Sequence, residues 1–286
     1  MGPRYSALGP IGGPSTLRVT CLASGSSGNS LLIQLGDRAV LVDAGLSIRK
    51  LTSALVERGL GPGSLDAVLI THEHVDHIRS ADLLSHRYEA PVLGNPATLR
   101  ALRSELGPLD LREFATGSST SAGVFEIASF PVSHDALDPV GYVISCGGVK
   151  VTVMTDLGDL TPELLEPVRT SSLVVLEANH DIQRLLDGPY PQRLKRRILS
   201  HLGHLSNRQS AELIAEGLSN RPQAFWLAHL SRTNNTRTQA VAEVRGFLAA
   251  HGLTADVKVT ERDRPSLVWE PPRTDVQLSL FGAIAG

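Results

Sequence analysis

The run Thr71-His72-Glu73-His74-Val75-Asp76-His77-Ile78 packs three histidines and an aspartate into six positions. It follows Leu65-Asp66-Ala67-Val68-Leu69-Ile70, an apolar run of strand length, so the cluster sits where a buried strand breaks into a loop. In extended chain alternate side chains point the same way, which brings His72, His74 and Asp76 to one side while His77 joins from the turn. Neutral imidazole nitrogen and carboxylate oxygen suit Zn²⁺ or Mn²⁺, and no cysteine stands nearby to close a structural zinc site. The pattern therefore reads as a catalytic metal site with open positions.

The 286 residues, 42% hydrophobic and 20% charged, are enough for one large α/β domain with a sizeable core. A formal net charge of -2 gives no global pull toward nucleic acid, so any such binding needs a local basic face. Cys21 and Cys146 lie far apart in strand-like contexts and make no disulfide framework, which fits a reducing cytoplasm. Residues 1–16 read as a loose leader, and no apolar run reaches the ~18 residues of a membrane span.

Apolar alternation and turn residues predict strands over 17–22, 30–35, 39–42, 65–70, 90–93, 123–132, 139–144, 149–154, 172–176, 224–227, 257–260 and 266–269. Helices are expected over 47–58, 81–86, 96–106, 207–218 and 238–250, with Ser206 as an N-cap. Between the first two strands, Ala23-Ser24-Gly25-Ser26-Ser27-Gly28-Asn29 is either a cradle for a phosphate or terminal nucleotide, through Ser26, Ser27 and Asn29, or a plain hairpin loop. Arg193, Lys195, Arg196 and Arg197 form a basic run that is either a solvated helix face or a phosphate track. Aromatics are scarce at 4%, so extended base stacking is not expected to dominate binding.

H-x-H-x-D-H after an apolar strand resembles the metallo-β-lactamase superfamily. That resemblance implies a four-layer αββα sandwich with a binuclear metal site at one edge of the paired sheets. Matched residue by residue, His72, His74 and His134 would take one cation and Asp76, His77 and His229 the other, with Asp156 of T-D-x-G between them. Asp43, after the third strand, matches the carboxylate that orients the metal loop. Such a centre can hydrolyse lactams, thioesters, lactones or phosphodiesters.

A glutamate after a strand, then G-H-L-S opening a helix, then a strand ending in H-x-S, resembles the phosphodiesterase branch that includes RNase Z. In that branch Glu177 would orient His204, and His204 would protonate the departing oxygen. Asp76, Glu177 and His204 are thus the candidate catalytic residues. The full pattern, A-S-G-S-S-G-N-S, T-H-E-H-x-D-H, L-E-A-N-H-D, G-H-L-S-N and A-H-L-S-x-x-N-N-T, resembles the YycJ (WalJ) family over about residues 17–270. The resemblance implies a 5′→3′ DNA exonuclease with Mn²⁺ or Zn²⁺, and Asn179, His180, Asn207, Asn234 and Asn235 lining or supporting the cleft. The twenty residues between Asp156 and Glu177 leave no room for the inserted domain of β-CASP nucleases. The rivals are an RNA-processing or cyclic-phosphate phosphodiesterase, a thioester or lactone hydrolase, and a scaffold with a vestigial site.

Residues 271–286 read as a linker and a tail. Gln277-Leu278-Ser279-Leu280-Phe281 resembles the pentapeptide that docks replication and repair proteins on the DNA polymerase sliding clamp, with Gln277 at the pocket rim, Leu280 and Phe281 as the two anchors in an apolar pocket, and Leu278 also a partner-binding residue. The alternative is a terminal segment packed on its own domain.

Overall fold

The computed structural model describes residues 16–106 and 109–272. The chain begins with β1 (Leu17–Ala23), β2 (Ser30–Leu35), β3 (Arg38–Val42), α1 (Ile48–Val56), β4 (Leu65–Leu69), α2 (Val75–Ile78), α3 (Ala81–Tyr88), β5 (Val92–Gly94), α4 (Pro96–Leu106) and β6 (Leu111–Glu113). It continues with β7 (Ser119–Ala122), β8 (Phe125–Pro131), β9 (Val140–Cys146), β10 (Val149–Met154), α5 (Leu165–Thr170), β11 (Leu173–Glu177), α6 (Ile182–Asp187) and α7 (Gln192–Ile198). Then come α8 (Asn207–Gly217), β12 (Ala224–Ala228), α9 (Arg237–Ala250), β13 (Asp256–Val259) and β14 (Val268–Trp269).

Among the described residues the strands form two sheets of seven, ordered β14-β1-β2-β3-β4-β5-β6 and β13-β12-β11-β10-β9-β8-β7. Each sheet is antiparallel at one end and parallel at the other. The β3, β4, β5 and β6 strands run parallel in the first, and β10, β11, β12 and β13 in the second. Parallel strands are covered on both faces, so β4 and β11 read as nearly continuous apolar runs.

Three apolar layers stack through the molecule. Val19, Ile33, Val42 and Leu69 of the first sheet meet Ile127, Tyr142, Val153 and Trp226 of the second. Leu51 and Leu55 of α1, Leu84 of α3 and Leu99 of α4 cover the outer face of the first sheet. On the far side, Val168 of α5, Ile214 of α8 and Val244 of α9 cover the second. Helix, sheet, sheet, helix is the expected αββα sandwich.

Two local expectations change. Asp76 is not in extended chain: His74 is the N-cap of the one-turn helix α2, which carries Asp76 together with His77. In addition β6, β7, α5 and α6 form where no element was expected, and the basic run, for which a helix face was one of two readings, lies on α7. The leader lies outside the described residues up to position 15, as does the tail from 273, with Gln277, Leu278, Leu280 and Phe281. No helix among the described residues is long and apolar enough to cross a membrane.

Candidate metal centre

The site collects at the C-terminal ends of the parallel strands, where loops of both sheets leave the core. Asp43 follows β3, Thr71 to His77 follow β4, Asp156 follows β10, Glu177 ends β11 and His229 follows β12. Asp43, Asp156 and His229 adopt positive φ angles of 62°, 59° and 54°, a conformation disfavoured for side chains with a Cβ and often found where function fixes the backbone. His134 arrives from the loop after β8, and His204 stands just before Ser206, whose hydroxyl caps α8 in a capping box with Gln209.

In four of the site's histidines Nδ1 donates to a carboxylate or carbonyl oxygen, which aims Nε2 inward. His77 Nδ1 donates to Asp43 Oδ2 at 2.7 Å, and Asp43 also accepts from the Thr71 backbone and hydroxyl. His134 Nδ1 donates to the Gly203 carbonyl at 3.1 Å. Nδ1 of His229 donates to Glu177 Oε1 at 2.7 Å, and that of His204 to the same oxygen at 2.9 Å. Such outer partners select the tautomer and fix the ring plane of a metal-binding histidine. What faces inward is a cluster of bare donors. His72 Nε2 lies 3.1 Å from His74 Nδ1, His77 Nε2 lies 3.1 Å from Asp156 Oδ2, and Asp76 Oδ2 lies 3.8 Å from His77 Nε2 and 4.0 Å from His229 Nε2.

These residues fit divalent cations. His72, His74 and His134 offer ligand atoms within 4.8 Å of one another, as do His72, His77 and Asp156. Asp156 Oδ2 and His229 Nε2 are buried with no hydrogen-bond partner, although unpaired polar atoms in a protein interior are costly. Asp156, Glu177, His204 and His229 also fall within that distance, yet Glu177 is no ligand by its bonding. Its Oε1 takes the two imidazole N–H groups and its Oε2 takes the backbone N–H groups of Leu157 and Leu205. Both oxygens are spoken for.

Electrostatics divide the histidines into two sets. Burial, reinforced by the neighbouring His77, holds His72 well below the ordinary imidazole range, and burial lowers His134 too, so both stay neutral and able to ligate. For His77, burial opposes charge, but the Asp43 and Asp156 carboxylates outweigh it and raise the pKa. Burial likewise opposes charge on His229, and Asp156 and Glu177 carry it up to about 9. Although burial disfavours the Glu177 carboxylate, His204 and His229 bring it down to about 2. The reciprocal effect overcomes burial at His204 and raises it.

Of the residues expected to touch substrate, Ser26 is exposed and lines the cleft with His74, Asp76, His134, Asp156, His204 and His229. Ser27 spends its hydroxyl on Asp263 at 2.8 Å. Asn29, Asn179, His180, Asn207 and Asn235 are buried, each at most 5% exposed. Asn29 accepts from the Gly25 N–H and stands 3.0 Å from His77 Nε2, while Asn179 donates to the His229 carbonyl. Asn207 and Asn235 bond each other, and Asn235 also donates to the Ala178 carbonyl. His180 is bound through its backbone, whose carbonyl accepts from Asn207. Lys195 leaves the basic run as well: it is buried and donates to the Leu186 carbonyl, whereas Arg193, Arg196 and Arg197 are exposed.

Three contributions were not legible in the sequence. Glu73 accepts from the Leu137 backbone and so ties the metal loop to the His134 loop. The Ser24 hydroxyl accepts from the His229 backbone N–H, joining the serine-glycine loop to the end of β12. Leu194, Ile198 and Leu202 line the cleft beside the histidines. Exposed leucines inside a basic helix were the available signal for the last.

The sequence family described as Beta-lactamase superfamily domain matches residues 38–229. The chain is 39% identical over 249 residues to Exodeoxyribonuclease WalJ of Streptococcus pneumoniae serotype 2, covering 85% of this chain and 93% of the relative. It is 36% identical over 240 residues to Exodeoxyribonuclease YycJ of Bacillus anthracis, covering 82% and 90%. Among solved structures, the metallo-beta-lactamase fold protein YhfI from Bacillus subtilis superposes with a TM-score of 0.68 at 19% identity, over 90% of this chain and 99% of that one, a likeness of fold.

Proposed function

Because the chain belongs to the beta-lactamase superfamily and, within it, to the family of the WalJ and YycJ exodeoxyribonucleases, we propose that it is a 5′→3′ DNA exonuclease working with two divalent cations, Mn²⁺ or Zn²⁺. In this reading His72, His74 and His134 would hold one cation and Asp76, His77 and His229 the other, with Asp156 available to both. The cations would supply electrophilic activation of the phosphodiester and a water acidified toward neutral pH.

The rest falls to the chain's own side chains, and the observation that carries the reading is the Glu177–His204 pair. Glu177 is wholly buried and holds His204 by Nδ1, while the His204 side chain remains 23% exposed at the cleft. Its Nε2 proton is therefore presented to the leaving 3′ oxygen of the terminal nucleotide, an alkoxide that departs poorly unless protonated. Lactone and thioester hydrolysis give this pair no comparable role. Arg197, which lines the cleft on the same helix as the exposed Arg193 and Arg196, supports contact with the backbone of the remaining strand.

The test is degradation of 5′-labelled and 3′-labelled linear DNA, single- and double-stranded, with Mn²⁺. Wild-type protein should release nucleotides from the 5′ end, and His204→Ala should lower kcat by about 10²–10⁴-fold. Undiminished turnover in the variant would remove His204 from the reaction. A preference for RNA or for a small cyclic diester would replace DNA as the substrate.

The reading extends to where the enzyme acts. Buried free thiols at Cys21 and Cys146 support work in a reducing cytoplasm. The Gln277–Phe281 pentapeptide supports recruitment by the sliding clamp to sites of replication or repair. Binding of the purified clamp with and without those five residues tests that recruitment.

A further inference from the structure

One wall of the reaction cleft is apolar. In a cavity of about 180 Å³ the histidine and aspartate cluster shares its lining with Leu194, Ile198 and Leu202, with Arg197 at the same lip and Ser26 also on the lining. Leu194 and Leu202 are 36% and 40% exposed. Single exposed leucines on a surface are ordinary, but an apolar wall beside a buried charged centre excludes water from one side of it.

This wall is fastened to the proton donor. The His204 backbone N–H donates to the Ile198 carbonyl, and the Asp135 N–H donates to the Leu202 carbonyl. Arg197 pairs with Asp135 at 2.9 Å, next to His134. The helix α7 that carries Leu194 is held from behind by the buried Lys195. The leucines therefore keep their place relative to His204, on the side from which the leaving group is protonated.

We infer that Leu194, Ile198 and Leu202 form a seat for the nucleobase of the terminal, departing nucleotide. The inference rests on the exonuclease reading and names what that site grips. A group whose 3′ oxygen faces His204 has its sugar and base on the same side of the reacting phosphate. Leucine side chains offer neither donors nor acceptors, so the seat takes the flat apolar face of any base and reads none of its edges. Among the described residues no Phe, Tyr or Trp lines this cleft to stack a base. A small diester without a base gains nothing from the seat.

The test uses metal-loaded full-length protein and two DNA substrates that differ only in the terminal 5′ nucleotide, normal or abasic. For wild-type protein the abasic end should raise KM about tenfold, the scale of burying one apolar side chain, with kcat little changed. The double variant Leu194→Ser with Leu202→Ser should show that higher KM on normal DNA and no further rise on the abasic end. Leu202→Met, which keeps the apolar area, should behave as wild type. Equal KM for both substrates in wild-type protein overturns the seat, as does a penalty for the abasic end that persists in the double variant. A change of oligomeric state in the double variant by light scattering, with KM unchanged, assigns the leucines to a protein interface and also overturns it. If metal-loaded wild-type protein hydrolyses neither DNA, the exonuclease reading itself fails and the seat falls with it.

Discussion

Glu177 illustrates how much one side chain can hold. It is 0% exposed, and each of its oxygens accepts two hydrogen bonds, from His204 and His229 on one and from two backbone amides on the other. A glutamine cannot replace this. Whichever way its amide is turned, the NH₂ end faces two N–H groups that have lost their acceptor. Glu177→Gln should therefore destabilise the fold by about 1–3 kcal/mol for each of the two stranded donors, visible as a lower Tm. Activity on DNA should fall by at least about 10²-fold because the His204 ring loses its anchor. An unchanged Tm would mean that the carboxylate is not the shared acceptor described here. The sequence showed Glu177 as the partner of His204 through a resemblance, but nothing in the chain order shows that His229, fifty-two positions away, shares the same oxygen. The same limit applies to the buried asparagines. Residue type marks Asn179 and Asn207 as polar and therefore as candidates for solvent, and only the packed structure shows that the Asn179 amide donates to the His229 carbonyl and the Asn207 amide to Asn235 and Glu243.

Between the strands, the loops are fitted to one another by backbone contact. After β3 the chain reads Asp43-Ala44-Gly45, and Asp43 does what the resemblance implied by orienting His77 and Thr71. Gly45 serves the loop differently, by leaving room, since a Cβ there would lie 1.6 Å from the Asp76 carbonyl oxygen and 2.7 Å from the Asn29 amide nitrogen. Both are backbone atoms and neither can swing aside. Gly45→Ala should push α2, with Asp76 and His77, out of place. Its expected signature is retained far-UV circular dichroism with bound metal below about half the wild-type content, since displaced ligand-loop partners weaken metal sites about 10–100-fold. Gly246→Ala is the control, because a Cβ in that part of α9 meets nothing within 4 Å and should raise stability by roughly 0.5–1 kcal/mol. Full metal content in Gly45→Ala would show that the loop tolerates the shift. Elements with strong apolar patterning, such as β2, β10 and α4, were legible to the residue. The polar β7, Ser119–Ala122, and the short α7 after Pro191 were not, because pairing with β8 and packing against the cleft, not local pattern, decide them.

The fold of the whole molecule was legible only through the H-x-H-x-D-H resemblance, since periodicity gives strands and helices but not the order in which two mixed sheets stack. β14 closes the edge of the first sheet by pairing Val268 and Trp269 with Thr20 and Val19 of β1, and Arg18 reaches Glu270 at 2.7 Å. The described strands of both sheets and the described residues of all three apolar layers lie before residue 273. Deleting Gln277–Phe281 should therefore leave Tm within about 1 °C of wild type and hydrolysis of free DNA within about twofold, because no described core residue is removed. Clamp binding should disappear, and Leu280→Ala with Phe281→Ala should weaken it by at least about 30-fold, the scale of losing paired apolar anchors in a short docking peptide. Calorimetry on the deletion separates this from a segment that folds back: a Tm several degrees lower would show that the pentapeptide packs on its own domain. Undiminished clamp binding by the deletion would place any clamp contact elsewhere on the chain. Retained stability, retained hydrolysis and lost clamp binding together would show that catalysis belongs to the αββα sandwich and recruitment to the last residues of the chain.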